Sequence, residues 1–216
     1  AWVPNTYMAS EQAKNSNIFT PHHVVPHAFD VTKYQKEYEP LEIPQIQDTF
    51  VFYYVGENTK RKNISAILKA FHLEFRKHEP VSLVIKSHSP GLSEHESFQS
   101  LQNLCEAVKR GLKLYRNSSD YKKEIFICDY LTDDQIMRIH QTCDCHVSTS
   151  FGEAWSIPTF EAMAMGNTPI CTDTGGPRDY LPGGGYLIDS SQEPCFGVMD
   201  TFDYIYTGSE NWDTPS

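Results

Sequence analysis

The sequence lacks the features that mark membrane, secreted and nucleic-acid-binding proteins. It has no apolar run near the ~20 residues that a membrane-spanning helix requires, and it does not begin with a charged segment followed by an apolar signal core. Lys and Arg number 18 against 28 Asp and Glu, so the net charge of -10 disfavours general binding to nucleic acid or anionic membranes. We therefore expect a soluble cytoplasmic protein without a nucleic-acid partner, in which any anion site is local.

Cysteine is too sparse for a small disulfide-bonded scaffold, because 6 residues are spread over 216. We expect them to be reduced thiols. Cys143 and Cys145 lie close in sequence to His140 and His146, and this spacing permits a metal cluster. The sequence offers no second pair of ligands, and Cys145 and His146 would point to opposite faces of a strand. Ordinary packing is therefore favoured, and no metal site is predicted.

Strand and helix patterns alternate along the chain. Short runs rich in β-branched and aromatic residues predict strands, and apolar residues at three- and four-residue steps predict the helices between them. Thr132 and Gln135 form a capping-box pattern at the start of one helix. The predicted strands are 49–55, 81–85, 124–128, 146–149, 168–172 and 186–188. This alternation predicts an α/β fold with a Rossmann-like, doubly wound parallel sheet, in which ligands bind at the carboxyl ends of the strands.

The two ends of the chain depart from this alternation. Residues 1–45 contain one short helix candidate, 10–15, and then several prolines, which break regular structure. Residues 207–216 show no apolar periodicity. We therefore predict a connector at 1–45, one folded domain at 46–206 and an irregular, truncated tail at 207–216.

Two carboxylates stand around the start of one predicted helix. Glu153 follows a glycine-containing bend, Ser156 is a plausible N-cap, and Pro158 falls in the first helical turn. Glu161 then lies in the second turn. Exposed amides and the positive end of the helix dipole would sit beside two acids, which suits an anionic ligand that also carries hydroxyl groups. This arrangement predicts a site for a phosphorylated sugar or a nucleotide.

A second candidate site is a basic run after the first strand. Gly56 is expected to end that strand, and Asn63 to cap the next helix. Lys60, Arg61 and Lys62 stand directly before this cap, so their charges and the helix amides would combine into a diphosphate site that needs no metal. The alternative is a solvated basic loop, since lysine and arginine are mostly exposed.

The spacing of the two acids also resembles the donor-site signature of a known family. Glu153 and Glu161 form a Glu-x7-Glu pattern followed by Ala-Met-Ala-Met-Gly, as in retaining glycosyltransferases of family four (glycosyltransferase group 1), which have the GT-B fold. Four further segments follow the family order, and the resemblance as a whole spans roughly residues 20–190. These segments are VVPHAFD at 24–30, VGENTKRKNISAILKAF at 55–71, CDYLTDDQI at 128–136 and TGGPRDYL at 174–181.

The resemblance implies a role for each charged residue. Lys62 would contact the donor phosphates, and Arg61 would substitute for an arginine that the family carries where this chain has Glu57. Glu161 would accept hydrogen bonds from the ribose hydroxyls, and Glu153 would orient the sugar and stabilise positive charge as the anomeric bond opens. The alternative for both acids is structural: Glu153 would favour the helix N-terminus, and Glu161 would be an exposed helix residue.

The resemblance also implies a lining for the donor pocket. Ala154 and Ser156 replace two family glycines, and Trp155 either walls the pocket or is a core aromatic. Gly175 and Gly176 form either a wall of the pocket or only a structural turn. Tyr130 and Leu131 match the family loop that contacts the base, although Leu131 could instead belong to the core. The full predicted lining is Gly152, Ala154, Trp155, Ser156, Ile157, Tyr130, Leu131, Gly175 and Gly176.

The functional hypothesis is the C-terminal donor-binding domain of a retaining hexosyltransferase. A nucleoside diphosphate sugar would be its donor substrate, with no cofactor, and the acceptor, whether glycan, lipid or protein, is unknown. Residues 1–45 would be the hinge from a missing N-terminal domain, so we expect the isolated domain to be inactive. The missing half leaves peripheral attachment to a membrane open. The alternatives are a non-catalytic nucleotide-sugar binding module and a sugar-nucleotide epimerase of similar architecture.

Overall fold

The computed structural model describes residues 1–15, 19–195 and 210–216. They form two compact units, which we call the terminal unit (Ala1–Glu37 with Ser150–Ser216) and the central unit (Tyr38–Thr149). This division cuts across the predicted domain 46–206, because residues from 150 onward group with the N-terminal segment. Its physical cause is hydrogen bonding over long sequence separations, such as that of the Tyr7 hydroxyl to Asp213 at 2.9 Å.

The N-terminal part of the terminal unit contains regular structure within the predicted connector. Its elements are β1 (Trp2–Val3), α1 (Thr6–Asn15), β2 (His23–Val24) and α2 (Thr32–Gln35). β1 and β2 pair in parallel. α1 begins four residues before the predicted helix 10–15, because the Asn5 side chain accepts a hydrogen bond from the Met8 amide at 2.8 Å and so caps the first turn.

The central unit is a parallel α/β sheet, as the alternating patterns predict. Its elements are β3 (Phe50–Glu57), α3 (Ile64–Glu74), β4 (Val81–His88), α4 (Glu94–Leu112), β5 (Ile125–Ile127), α5 (Asp133–Thr142) and β6 (Cys145–Ser148). Its strands lie side by side in the order β5-β4-β3-β6, and every pair is parallel. The chain winds outward from β3 to β5 and then returns to the other side of β3. The carboxyl ends of β3 and β6 therefore form the switch point where such sheets bind ligands.

A dense apolar core lies between the sheet and the helices α3 and α4. Leu68 of α3, Leu83 of β4 and Leu101 of α4 are fully buried. Each buried leucine contributes about 1.5–3 kcal/mol, so this core holds the sheet and the two helices together. The three- and four-residue spacing that predicted α3 is thereby confirmed.

One predicted strand end and one predicted side-chain cap are wrong, each for a local reason. Gly56 lies inside β3 rather than ending it, and a Cβ at this position would come 2.4 Å from the Tyr54 hydroxyl, so glycine makes room for that side chain. Asn63 adopts the left-handed conformation and makes no side-chain cap. The predicted capping box of Thr132 and Gln135 is confirmed at the start of α5.

The described residues 150–195 and 210–216 of the terminal unit add six elements. They are α6 (Ile157–Ala164), β7 (Ile170–Thr172), α7 (Pro177–Tyr180), β8 (Tyr186–Ile188), β9 (Ser190–Pro194) and β10 (Asn211–Pro215). β7 and β8 pair in parallel, and β9 and β10 pair antiparallel. No helix of the described ranges is long and apolar enough to cross a membrane.

The prediction of an irregular tail is corrected by β10. Residues 207–209 lie outside the described residues, but Asn211–Pro215 form a regular strand. Trp212 stacks on Phe151 with ring centroids 4.7 Å apart, and the Asp213 amide donates a hydrogen bond to the Phe151 carbonyl at 2.9 Å. These partners lie about 60 positions away in sequence, so a search for local periodicity could not detect them.

Candidate functional site

The acid loop, residues 150–156, leads directly into α6 in the terminal unit. Ser156 is the N-cap position, as predicted, and Pro158 lies in the first turn. The Ser156 side chain does not cap the helix, however, because the residue adopts φ 62° and its hydroxyl lies 2.8 Å from the Thr159 hydroxyl. A left-handed conformation costs a residue other than glycine about 1–2 kcal/mol. A glycine at this position would avoid most of that cost.

Two side chains from other segments, one buried and one half-buried, contact three successive carbonyls of the acid loop. The Asn5 amide donates a hydrogen bond to the Ala154 carbonyl. The Tyr180 hydroxyl lies 2.9 Å from the Trp155 carbonyl and 3.1 Å from the Ser156 carbonyl. Burial, together with the nearby Cys171 and Glu153, raises the pKa of Tyr180, so its hydroxyl stays protonated and donates.

This arrangement fixes where the loop amides point. In a trans peptide the carbonyl of one residue and the N–H of the next face opposite ways. The amides of Trp155, Ser156 and Ile157 therefore point away from Asn5 and Tyr180, at the N-terminus of α6. The first amides of a helix have no acceptor within the helix, so this face of the loop is suited to oxygen atoms of an anionic ligand.

The glycine turn before α7 packs directly against the acid loop. Gly175 has φ +59°, and a Cβ there would lie 1.6 Å from the Glu153 carbonyl oxygen. A Cβ at Gly176 would lie 2.8 Å from the Trp155 Cα. The two backbones touch, and only glycine allows this approach. The structure therefore brings together Glu153 and Trp155 with the glycine pair, which lies more than 20 positions after Glu153 in the sequence.

Glu161 lies in the second turn of α6, as predicted, but it is buried rather than exposed. Its carboxylate lies 2.6 Å from the Lys33 ammonium, and the side chains of Lys33 and Glu161 are 30% and 9% exposed. Sequence reasoning missed Lys33 because it lies in the segment interpreted as a connector. This ion pair shows that the N-terminal segment contributes directly to the candidate site.

Trp155 belongs to an aromatic cluster of the terminal unit. It is 7% exposed, and its ring lies 5.3 Å from His27, 6.1 Å from Phe29, 6.0 Å from Phe160 and 5.2 Å from Tyr180. This packing agrees with the core alternative for Trp155. Its indole N–H is buried without a hydrogen-bond partner in the described part of the chain.

The basic residues of the central unit form a short 3₁₀ turn, Lys60–Lys62, after β3. Lys60 is exposed, whereas Arg61 and Lys62 are half-buried. The turn follows the carboxyl end of β3 and is tied to the end of β6, where the Thr149 hydroxyl donates a hydrogen bond to the Asn63 carbonyl at 2.8 Å. The turn therefore lies at the switch point of the sheet, where a ligand site is expected.

A buried histidine lies behind this basic turn. Burial lowers the pKa of His146 well below its usual value, and the charges of His140 and Lys62 lower it further. His146 is therefore neutral and adds no charge of its own. His140, which the sequence placed in a possible metal cluster, lies with its Nδ1 2.6 Å from the Tyr53 hydroxyl instead.

Tyr130 and Leu131 lie in the loop between β5 and α5. Tyr130 is 74% exposed, its amide donates a hydrogen bond to Glu94 at 2.8 Å, and its ring lies 6.0 Å from that of His88. An exposed, backbone-anchored aromatic ring can stack on a base. Leu131 is half-buried.

One group of side chains in the described residues could hold a metal ion, and it lies away from the predicted site. His72, Cys105 and Glu124 have ligand atoms within 4.8 Å of one another. Lys109 already supplies a cation, because its ammonium lies 3.0 Å from Glu124, while His72 Nε2 lies 2.5 Å from the same carboxylate. Glu124 directly precedes β5, at the amino end of that strand, whereas the basic turn follows the carboxyl end of β3. The group is best explained as a neutralised buried ion pair.

The pKa values of this group support that explanation. Burial alone would raise the pKa of Glu124, but hydrogen bonds and charges from His72 and Lys109 hold it below its usual value. Burial would lower the pKa of Lys109, but Glu124 raises it. Burial raises the pKa of Cys105 to about 12, so the thiol keeps its proton. A metal would have to displace both that proton and the lysine cation.

Comparison with known proteins places this architecture in a known group. Residues 39–194 match the family model described as glycosyl transferases group 1. Among curated proteins, none matches this chain.

Solved structures give the same fold at low identity. The C-terminal domain of LpcC, a glycosyl transferase group 1 family protein from Francisella tularensis, has a TM-score of 0.54 at 21% identity, over 74% of this chain and 80% of that one. HepE from Anabaena, in complex with UDP-glucose, has a TM-score of 0.62 at 16% identity, and the match covers 86% of this chain and 48% of HepE. Sucrose-phosphate synthase from Thermosynechococcus elongatus has a TM-score of 0.64 at 16% identity, and the match covers 87% of this chain and 44% of the synthase. The chain thus spans about half the length of HepE and the synthase.

Proposed function

The chain belongs to the group 1 glycosyl transferases, and on this premise we propose that it is the donor-binding domain of a retaining transferase that uses a nucleoside diphosphate sugar. The similar HepE was solved with UDP-glucose and with UDP and glucose, which supports a nucleotide-sugar donor. A similar trehalose-phosphate synthase is described as UDP-forming, so uridine nucleotides are the first donors to test.

The observation that carries this proposal is the amide face of the acid loop. The Asn5 amide donates to the Ala154 carbonyl, and the Tyr180 hydroxyl lies within hydrogen-bond distance of the next two carbonyls. The amides of Trp155, Ser156 and Ile157 therefore point away from these two side chains at the start of α6. Fixed amides of this kind bind anionic oxygens without reorganising. We propose that they bind the diphosphate or the sugar oxygens of the donor. Negative charge grows on the diphosphate as the sugar leaves, so this contact would strengthen in the transition state.

The acidic residues of the terminal unit would bind the neutral parts of the donor. Glu161 would accept hydrogen bonds from the ribose hydroxyls, because a carboxylate can take two of them. Glu153 would orient the donor sugar and stabilise positive charge at the anomeric carbon. Gly152 and Ala154 would line the sugar pocket, and the glycine pair Gly175–Gly176 would support the acid loop from its carbonyl side.

The central unit would supply the charges that match the donor phosphates. Lys62 and Arg61 would contact the diphosphate, so no metal or cofactor is invoked. Glu57, which stands where the family has an arginine, is exposed and leaves that contact to Arg61. Tyr130 would stack on the base. A product assay with glycan, lipid and protein acceptors tests whether the transferred sugar retains its anomeric configuration.

Calorimetric titration of the purified 216-residue chain tests donor binding. The ligands are UDP-glucose and a panel of other uridine, guanosine and adenosine diphosphate sugars. We expect saturable binding of at least one donor, and a loss of roughly tenfold or more in Lys62→Ala, because a charge-assisted phosphate contact is removed. Lys69→Ala is the matched control, since Lys69 is an exposed lysine on α3. Absence of saturable binding to every donor, or equal affinity of Lys62→Ala and Lys69→Ala, refutes the proposal.

A further inference from the structure

The ion pair between Lys33 and Glu161 points to a function for the N-terminal segment. We propose that Lys33 is a positioning residue, which holds the Glu161 carboxylate ionised and oriented to accept hydrogen bonds from the ribose hydroxyls of the donor. This inference rests on the proposed function, and it assigns to that function a residue outside the acid loop.

Neighbouring contacts anchor Lys33 against α6. Phe29 stacks on Phe160 with centroids 4.1 Å apart and an interplanar angle of 18°, and Tyr34 packs edge-on against the same ring at 6.2 Å. Phe160 directly precedes Glu161. Aromatic residues on both sides of Lys33 in the sequence therefore pack against the turn of α6 that carries Glu161.

A local turn sets the backbone that presents Lys33. The Asp30 carboxylate accepts hydrogen bonds from the Thr32 amide at 3.0 Å and from the Thr32 hydroxyl at 2.6 Å. This turn starts α2 one residue before Lys33. The turn fixes the backbone of Lys33 close to α6. The 2.6 Å contact between the Lys33 ammonium and the Glu161 carboxylate therefore requires the ordering of one side chain and not of the backbone as well.

The chemical reason for the pair is the protonation state that a ribose site requires. An ionised carboxylate only accepts hydrogen bonds, whereas a protonated one also donates, and ribose hydroxyls need an acceptor. Burial disfavours the ionised form, and a cation within 4 Å restores it. Lys33 supplies this cation, and the Glu161 side chain beside it is 9% exposed. Removing the cation would leave a buried acid that no longer matches two hydroxyl donors.

The test compares nucleotides that differ by one hydroxyl. UDP, GDP and ADP, and the 2′-deoxy form of each, are titrated into the 216-residue chain and into three variants, Lys33→Met, Lys33→Arg and Lys14→Met. We expect the unmodified chain to prefer the ribose form of its nucleotide by roughly tenfold, because hydrogen bonds to charged groups are strong. Lys33→Met should lower this preference to about twofold or less, and Lys33→Arg should retain it, since arginine keeps the cation.

Lys14→Met is the matched control. Lys14 is an exposed lysine of the same unit that pairs with Glu11 at 3.1 Å on the helix surface, so its loss should leave the preference unchanged. A double-mutant cycle with Glu161→Gln adds a second readout. If Lys33 acts through Glu161, Lys33→Met should have no further effect on the ribose preference once Glu161 is replaced.

Three outcomes overturn the inference, and they separate it from the proposed function. If Lys33→Met keeps the ribose preference, or binds the ribose nucleotide more tightly than the unmodified chain, donor binding stands but Lys33 does not position Glu161. If the unmodified chain binds nucleotides without any ribose preference, the role of Glu161 fails and that of Lys33 with it. If the chain binds no nucleotide or donor at all, the proposed function itself fails. Tryptophan fluorescence of each variant confirms that it is folded.

Discussion

Replacing Gly175 with alanine should destabilise the terminal unit and displace the acid loop. A Cβ at Gly175 would lie 1.6 Å from the Glu153 carbonyl oxygen, which is far inside any allowed contact, and the partner is backbone that cannot rotate away. The residue also has φ +59°, a conformation that costs a side chain about 1–2 kcal/mol. Forcing the two backbones apart adds about 1–3 kcal/mol. The sum is about 2–5 kcal/mol, a large part of the ~5–15 kcal/mol that stabilises a typical domain.

Gly183→Ala is the control that separates these two costs. Gly183 also has a left-handed backbone, φ +86°, but a Cβ there would meet nothing within 4 Å. It should therefore lose only the conformational part, about 1–2 kcal/mol. The difference between the two variants measures the close approach between the glycine turn and the acid loop.

Tryptophan fluorescence in a urea titration reports on the correct unit. The chain has 3 tryptophans, Trp2, Trp155 and Trp212, and all of them lie in the terminal unit. With a slope of about 1–3 kcal/mol per molar urea, a loss of about 2–5 kcal/mol lowers the midpoint by about 0.7 M or more. If Gly175→Ala and Gly183→Ala shift the midpoint equally, the argument for close backbone contact is refuted.

Two further predictions concern buried polar groups. Tyr180→Phe removes the donor to the Trp155 and Ser156 carbonyls and should lower the free energy of unfolding by about 1–3 kcal/mol in the same fluorescence assay. Tyr186→Phe is the control, because Tyr186 is exposed and its hydroxyl should contribute almost nothing. Equal losses in the two variants would contradict the role of the Tyr180 hydroxyl. The pKa of Glu124 is held below its ordinary value of 4.5, so the stability it contributes is present above that pH and is lost as the pH falls through the folded-state pKa. We therefore expect the free energy of unfolding, measured by circular dichroism between about pH 7 and pH 3, to fall more in the unmodified chain than in Glu124→Gln. If the free energies of the two proteins fall in parallel with pH, this role of Glu124 is refuted.

The central unit illustrates how much of the fold could be predicted from local patterns. Apolar spacing predicted α3 and its core face, and the capping box of Thr132 predicted the start of α5, because both signals lie within one or two turns of chain. The failures have equally local causes. Gly56 was expected to end β3, but the glycine accommodates the Tyr54 hydroxyl, and nothing in sequence spacing distinguishes these two uses of glycine.

The candidate site shows a similar division. Glu161 in the second turn of α6 and the basic turn after β3 followed from motif spacing. The partners of those residues did not. Asn5 and Lys33 lie 149 and 128 positions from the groups they bind, in a segment whose prolines indicated only a connector. β10 was missed because its contacts are likewise distant in sequence.

The amino-acid sequence by itself therefore determined the alternating parallel α/β elements, the family and the positions of the acids and bases, since each depends on side chains that are neighbours along the chain. Only the tertiary structure decided that Glu161 is buried against Lys33, that Ser156 is left-handed, and that three carbonyls of the acid loop face Asn5 and Tyr180. These features arise from contacts between segments more than 20 residues apart, whose closeness follows from the packing of the whole unit and not from any periodic pattern.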